Sequence, residues 1–304
     1  MHRILLLLAI LGFSSKLFGQ NADSVRYMDS LIAIRNTEKI PGQIPAYYSA
    51  GYRERAVTLQ KAFQEAAAYY EQVYHRKFHL KLAVLDSAQW LNERVPWGFL
   101  SYEHGWAAIP AQVSYTNLLH IYGITDRKAQ LDALLKNNHI SEQQLISSVY
   151  LVYSLHELGH YFINDLTQCN VPDMFANELI ATYFSYNYFE RLHSRDLQIL
   201  ILFSRFISSN YPASYRQINA MDNLYTKMPI QNFKWFHCNI VLLSGQIHAH
   251  YGSGFISWYL KTFAKDKARK RSTEQVIALL DKKTNGIVGK WAAALSRYQA
   301  ASLQ

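Results

Sequence analysis

The pattern of apolar and polar positions divides the chain into a short mixed region and a long helical remainder. Residues 23–37 predict a first helix, ended by the Pro/Gly-bearing stretch Ile40-Pro41-Gly42-Gln43-Ile44-Pro45. Ala56, Leu59, Ala62, Phe63, Ala66, Tyr70 and Val73 then recur at helical spacing and predict a long helix over 52–74. The period changes at His79-Leu80-Lys81-Leu82-Ala83-Val84-Leu85, which alternates, turns apolar and stops at Asp86-Ser87 as a strand does. Residues 97–102 and 106–109 flank Glu103-His104-Gly105 and predict a hairpin, closed by Pro110.

From about Tyr115 onward the spacing is helical. Ser141 with Gln144 forms a capping-box pattern ahead of a helix over 142–163. Val171-Pro172-Asp173 opens another that runs to about residue 193. Further helices are predicted over 195–208, 214–226, 232–251, 255–264, 273–283 (with Ser272 and Gln275 as a second capping box) and 287–300. The expected class is α+β, a small, mostly antiparallel sheet followed by a mainly helical subdomain. With no internal repeat and no low-complexity linker, residues 21–304 read as one domain. Its parts are the N-terminal helices and sheet (21–140), a helix pair (141–194) and a helical subdomain (195–304).

The first twenty residues stand apart. A basic start, Met1-His2-Arg3, precedes an apolar run over 4–13 and a more polar end, so 1–20 reads as a signal peptide cleaved near Gly19 or Gln20. The run is too short to span a hydrocarbon core of about 30 Å, and no later stretch is long and apolar enough to do so. The expected location is therefore secreted or periplasmic, with no membrane span after cleavage. The 304 residues are 50% apolar and 17% charged, the composition of a packed protein and not of a disordered one.

Net charge is +9, and Arg3 and Lys16 in the leader account for two of these. The densest basic run, Lys261 to Arg271, lacks the aromatic and Gly pattern of nucleic-acid modules and reads as a solvated helix end, so no nucleic-acid partner is expected. Only Cys169 and Cys238 are present, which excludes a cysteine-based metal site and leaves one bridge open. Nothing in the sequence sets an oligomeric state.

The chemistry lies in His156-Glu157-Leu158-Gly159-His160. On a helix His156 and His160 share a face one turn apart, so both imidazoles reach one Zn²⁺, with Glu157 beside it as general base toward a metal-bound water. Catalytic zinc needs a third protein ligand, and Glu178 on the next predicted helix supplies it. Glu178 is the one acid between Asp173 and Glu190, set in the run Met174-Phe175-Ala176-Asn177-Glu178-Leu179-Ile180-Ala181. A carboxylate among apolar neighbours requires a partner.

HELGH followed by NELIATYF, over Leu155 to Phe184, resembles the gluzincin metallopeptidases, the clan of thermolysin and the zinc aminopeptidases. The resemblance implies a zincin-like fold, a sheet edge that holds an extended substrate beside the active-site helix, and cleavage of peptide or protein substrates. It also implies an oxyanion donor from the downstream subdomain, for which His248 and Tyr251 are the leading candidates, with Tyr183 and Tyr225 behind them. His104 and His237 read as structural. The sequence departs from the clan at Thr182, where thermolysin-like enzymes carry the Asp that orients the first histidine, and it lacks the aminopeptidases' Gly-x-Met-x-Asn motif. A non-catalytic zincin-fold binding or scaffold protein is the alternative, and ester or epoxide hydrolysis a third reading.

Overall fold

A computed structural model describes residues 29–301 except 31, 34, 91–97, 99, 104, 170, 224–226 and 265–270. The leader, Trp97, His104, Tyr225 and most of the basic run lie outside the described residues. Of the predicted helix over 23–37, residues 29, 30, 32 and 33 are helical, 23–28, 31 and 34 lie outside the described residues, and the last residue, Thr37, begins a strand.

The N-terminal region is a five-stranded sheet built around one long helix. Strands β1 (Thr37–Ile40) and β2 (Ala46–Ser49) form an antiparallel pair. Helix α1 (Arg53–Tyr74) crosses over to β3 (Lys81–Leu85), which lies parallel to β2. Strands β4 (Ser101–Glu103) and β5 (Trp106–Pro110) make the expected hairpin, with Gly105 at a φ of +79° in its turn. The order is β1-β2-β3-β5-β4, with β4 on the outer edge beyond β5.

The sheet is therefore mixed and not mostly antiparallel, because β3 is parallel to both its neighbours. Two causes hid this. β2 is only four residues long and follows directly on the Pro/Gly-bearing stretch, and α1 is the crossover that parallel pairing requires. β3 and β5 are buried on both faces, as inner parallel strands are. Leu82, Val84, Ala107 and Ile109 face the main core with Phe63 and Tyr70 of α1, while Ala83, Leu85, Trp106 and Ala108 pack with Ile32 on the opposite face.

The remainder is helical: α2 (Tyr115–Ile121), α3 (Lys128–Asn137), α4 (Glu142–His160), α5 (Met174–Arg191), α6 (Arg195–Asn210), α7 (Ala220–Asn223), α8 (Ile230–Tyr251), α9 (Gly254–Thr262), α10 (Thr273–Lys283) and α11 (Ile287–Ala301). Both capping boxes form, Ser141 with Gln144 and Ser272 with Gln275. α4 gives way after His160 to a π-helical turn, Tyr161–Leu166. The predicted helix over 214–226 shrinks to α7 among the described residues. Upstream of it, Asn232 accepts from the Tyr215 amide at 2.9 Å and donates to the Tyr215 carbonyl at 2.8 Å, occupying groups that a helix would use. Cys169 and Cys238 are both free and buried. No described helix is long and apolar enough to cross a membrane.

Candidate metal centre

α4 and α5 are the two most intimately packed helices near the sheet, and a glycine sets their separation. A Cβ on Gly159 would stand 2.8 Å from the Ala181 carbonyl oxygen, 2.9 Å from Ala181 Cα and 3.2 Å from Phe184 Cβ. The pairing is antiparallel, since His160 meets Glu178 while His156, a turn earlier, meets Thr182, a turn later. Tyr70 of α1 fixes α5 from the sheet side, donating to the Phe184 carbonyl at 2.6 Å and stacking on the Phe184 ring.

This packing brings together the three residues that the sequence spacing singles out. Glu178 Oε2 lies 3.1 Å from His156 Nε2 and 3.6 Å from His160 Nε2, and ligand atoms of all three lie within 4.8 Å of one another. Atoms bound about 2.0–2.2 Å from a tetrahedral metal are about 3.3–3.6 Å apart, so the spacing fits one cation held by two imidazoles and a carboxylate. His156 is 2%, Glu178 5% and His160 8% exposed. The distances are those of ion pairs, but the angles are not those of hydrogen bonds, and Glu178 Oε2 is left buried without a hydrogen-bond partner. A cation satisfies that oxygen; an apolar core does not.

Thr182 supplies what the sequence left open. Its Oγ1 lies 3.0 Å from His156 Nδ1, so Thr182 is the polar partner of the first histidine. Were Nε2 to hold a metal, Nδ1–H would donate to the threonine and so fix the tautomer and the ring plane.

The electrostatics follow from burial. Burial pushes the Glu157 carboxyl up to about 7; His160 and Lys234 oppose the shift and Glu178 adds to it. Burial lowers His156 to about 4, with His160 adding to the effect. For His160 burial also acts downward, but the Glu178 carboxylate outweighs it and the ring ends above its ordinary value. Burial alone would raise Glu178, yet the imidazoles of His160 and His156 hold it well below the usual carboxylate range. Burial lowers Lys234 on α8, while Glu157 holds it up.

α8 contributes a residue that the sequence reading assigned to structure. His237 Nε2 lies 3.3 Å from Glu178 Oε2, and His237 is 5% exposed. A signal for it exists in the sequence: Lys234 and His237 are polar at helical spacing within an otherwise apolar run, and both are buried.

The other candidates lie elsewhere. His248 and Tyr251 are 11 and 14 residues beyond His237 on α8, about 16 and 21 Å along its axis. His248 Nε2 sits 3.2 Å from Asn187 Oδ1, and Asn187 in turn donates to Tyr70 Oη. Tyr251 lies under the Lys283 ammonium, 5.1 Å from its ring centroid. Tyr183 donates to the Gly252 carbonyl at 2.6 Å. None of the three is in the His156–His160–Glu178 group. A cavity of about 500 Å³ lies toward the other end of α4, among Arg55, Ser114, Ser141 and Tyr150, and includes no residue of the His156–His160–Glu178 group.

Comparisons with protein-family models, with curated proteins and with solved structures find no match.

Proposed function

We propose that this protein is a secreted or periplasmic zinc-dependent peptidase of the gluzincin type. One observation carries the reading: two imidazole nitrogens and a carboxylate oxygen from two helices converge within 4.8 Å of one another, with a second carboxylate, Glu157, next to the first histidine. The donor set of two histidines and a glutamate suits zinc. When bound, zinc supplies an acidified water and a Lewis acid.

The chain's own groups account for the rest. Glu157 takes the proton of the attacking water and passes it to the leaving amine. Thr182 holds the His156 ring in place. His160 is the most open of the three ligands, with 10% of its side chain exposed. Its ring lies 6.5 Å from that of Tyr102 on the edge strand β4. An extended polypeptide pairing with β4 would therefore run past the accessible side of the centre.

The near-complete burial of the ligands favours a second reading, a non-catalytic zincin-fold binding or scaffold protein that uses the metal to hold α4 against α5. Metal content of the purified protein beside His160→Ala and Glu178→Ala tests what both readings share. Near-stoichiometric zinc is expected in the wild type, and a large loss in both variants. Glu157→Gln then separates the two readings. It retains the metal and loses cleavage of a peptide library if the protein is a peptidase; identical behaviour of Glu157→Gln and wild type in every cleavage assay refutes the peptidase reading.

A further inference from the structure

His237 is a buried imidazole with no hydrogen-bond partner on either nitrogen. Leaving a buried polar group unsatisfied is costly, and an ordinary core histidine avoids it by bonding at least one nitrogen. The ring is nevertheless firmly placed. Phe233, one turn earlier on α8, stands 4.4 Å from it between centroids, His156 5.5 Å and Tyr153 6.0 Å. Its Nε2 lies 3.3 Å from Glu178 Oε2, the oxygen that both metal-site histidines also approach. His237 is not part of the mutually close ligand group formed by His156, His160 and Glu178. It thus lies beside the metal position, against the ligating carboxylate.

We propose that His237 is a positioning residue of the metal centre, donating its Nε2–H to Glu178 Oε2 and so fixing the oxygen that Glu178 presents to the cation. The proposal rests on the metal reading above. A carboxylate oxygen has two lone pairs; one goes to the cation and the other to His237. The separation is already within hydrogen-bond distance, and the bond adds alignment of the N–H with that oxygen. Such outer partners of metal ligands change metal affinity about 10–100-fold when removed. The arrangement also explains why α8 buries a histidine in an apolar stretch some sixty residues after the ligands.

The test compares His237→Leu, which fills the volume without a donor, with His237→Gln, whose amide nitrogen reaches about as far as Nε2. Zinc affinity is measured by chelator competition on the full chain, and the visible spectrum of the cobalt(II)-substituted protein reports the ligand set. Expected are zinc binding about 10–100-fold weaker in His237→Leu, affinity near wild type in His237→Gln, and the same cobalt spectrum for His237→Gln and wild type. Wild-type affinity in His237→Leu would reduce His237 to packing and overturn the proposal. Loss of affinity in His237→Gln with an altered cobalt spectrum would make His237 a direct ligand and equally overturn it. If His237→Leu does not fold, His237→Met, which also lacks a donor, takes its place beside His237→Gln in the same comparison. Absence of metal binding by the wild type itself would mark failure of the metal reading, a result distinct from a difference among the variants.

Discussion

Replacing Gly159 by alanine tests the packing that creates the centre. On an exposed helix this change is stabilising by about 1 kcal/mol, because alanine loses less backbone entropy than glycine. At Gly159 the new Cβ would sit 2.8 Å from the Ala181 carbonyl oxygen and 2.9 Å from its Cα, backbone atoms that no rotamer change can move. Reaching ordinary contact near 3.4 Å requires α4 and α5 to part by about 0.6 Å. Overpacking of this kind costs about 1–3 kcal/mol, so net destabilisation of up to about 2 kcal/mol is expected, a melting temperature lower by up to roughly 4 °C. The same displacement carries Glu178, less than one turn from Ala181, away from the histidines by more than the ~0.2 Å a metal site tolerates. Zinc affinity should fall at least about tenfold. Gly254→Ala is the control, since nothing lies within 4 Å of its added Cβ, and it should be neutral or stabilising. Calorimetry and chelator competition on both variants provide the readouts. Stability and zinc affinity in Gly159→Ala matching Gly254→Ala would refute the claim that the glycine sets the approach of α4 to α5.

Three further outcomes follow from the same structure. Thr182→Val keeps the shape of the side chain but removes the Oγ1 that faces His156 Nδ1, so zinc affinity should fall about 10-fold with little change in melting temperature; unchanged affinity would show that the ring needs no such partner. Burial raises the Asp173 carboxyl from 3.8 to about 7, against the pull of the Ala176 amide it caps and with Asp222 adding to the rise. Because the folded state keeps a proton that the unfolded state has lost, this group's contribution is fully present below about pH 4 and disappears as pH rises to about 7. Asp173→Asn, which still caps α5, should flatten that slope by about 2 kcal/mol in chemical denaturation at pH 4 and pH 7, after allowance for its partly exposed rim, and an unaltered slope would contradict it. Ser141→Ala removes one half of the α4 capping box and should cost about 1 kcal/mol by the same denaturation assay without altering zinc affinity, since the cap lies at the far end of the helix from His156.

The helices were legible in the sequence where two independent signals coincided. α4 had a capping box and an apolar period, α10 likewise, and both begin at the residue expected. The segment before α8 was not legible, because its deciding contact is Asn232 reaching back to Tyr215, a tertiary bond that periodicity does not carry. Strand pairing failed for a similar reason. β2 has the apolar character of a strand, but its four residues are too few to show a period, and only the crossover through α1 makes it parallel to β3.

The candidate site shows the same division between local and distant information. His156 and His160 are fixed relative to each other by one helix turn, and Glu178 by a short connection, so all three were readable from spacing. Thr182 is not legible as a partner from the sequence, because a threonine is polar enough to bond an imidazole yet common enough in helices to carry no signal. Its hydroxyl has a physical consequence: a threonine oxygen orients the imidazole without adding charge, whereas an aspartate would add another anion to a buried cluster already holding Glu157 and Glu178. Lys234, buried within the influence of both carboxylates, offsets part of that charge from the opposite side. Carboxylates on α4 and α5 therefore require a cationic or hydrogen-bonding face on whatever helix covers them, and α8 provides one with Lys234 and His237 less than one turn apart. That requirement, and not proximity in sequence, is what ties the third helix to the site.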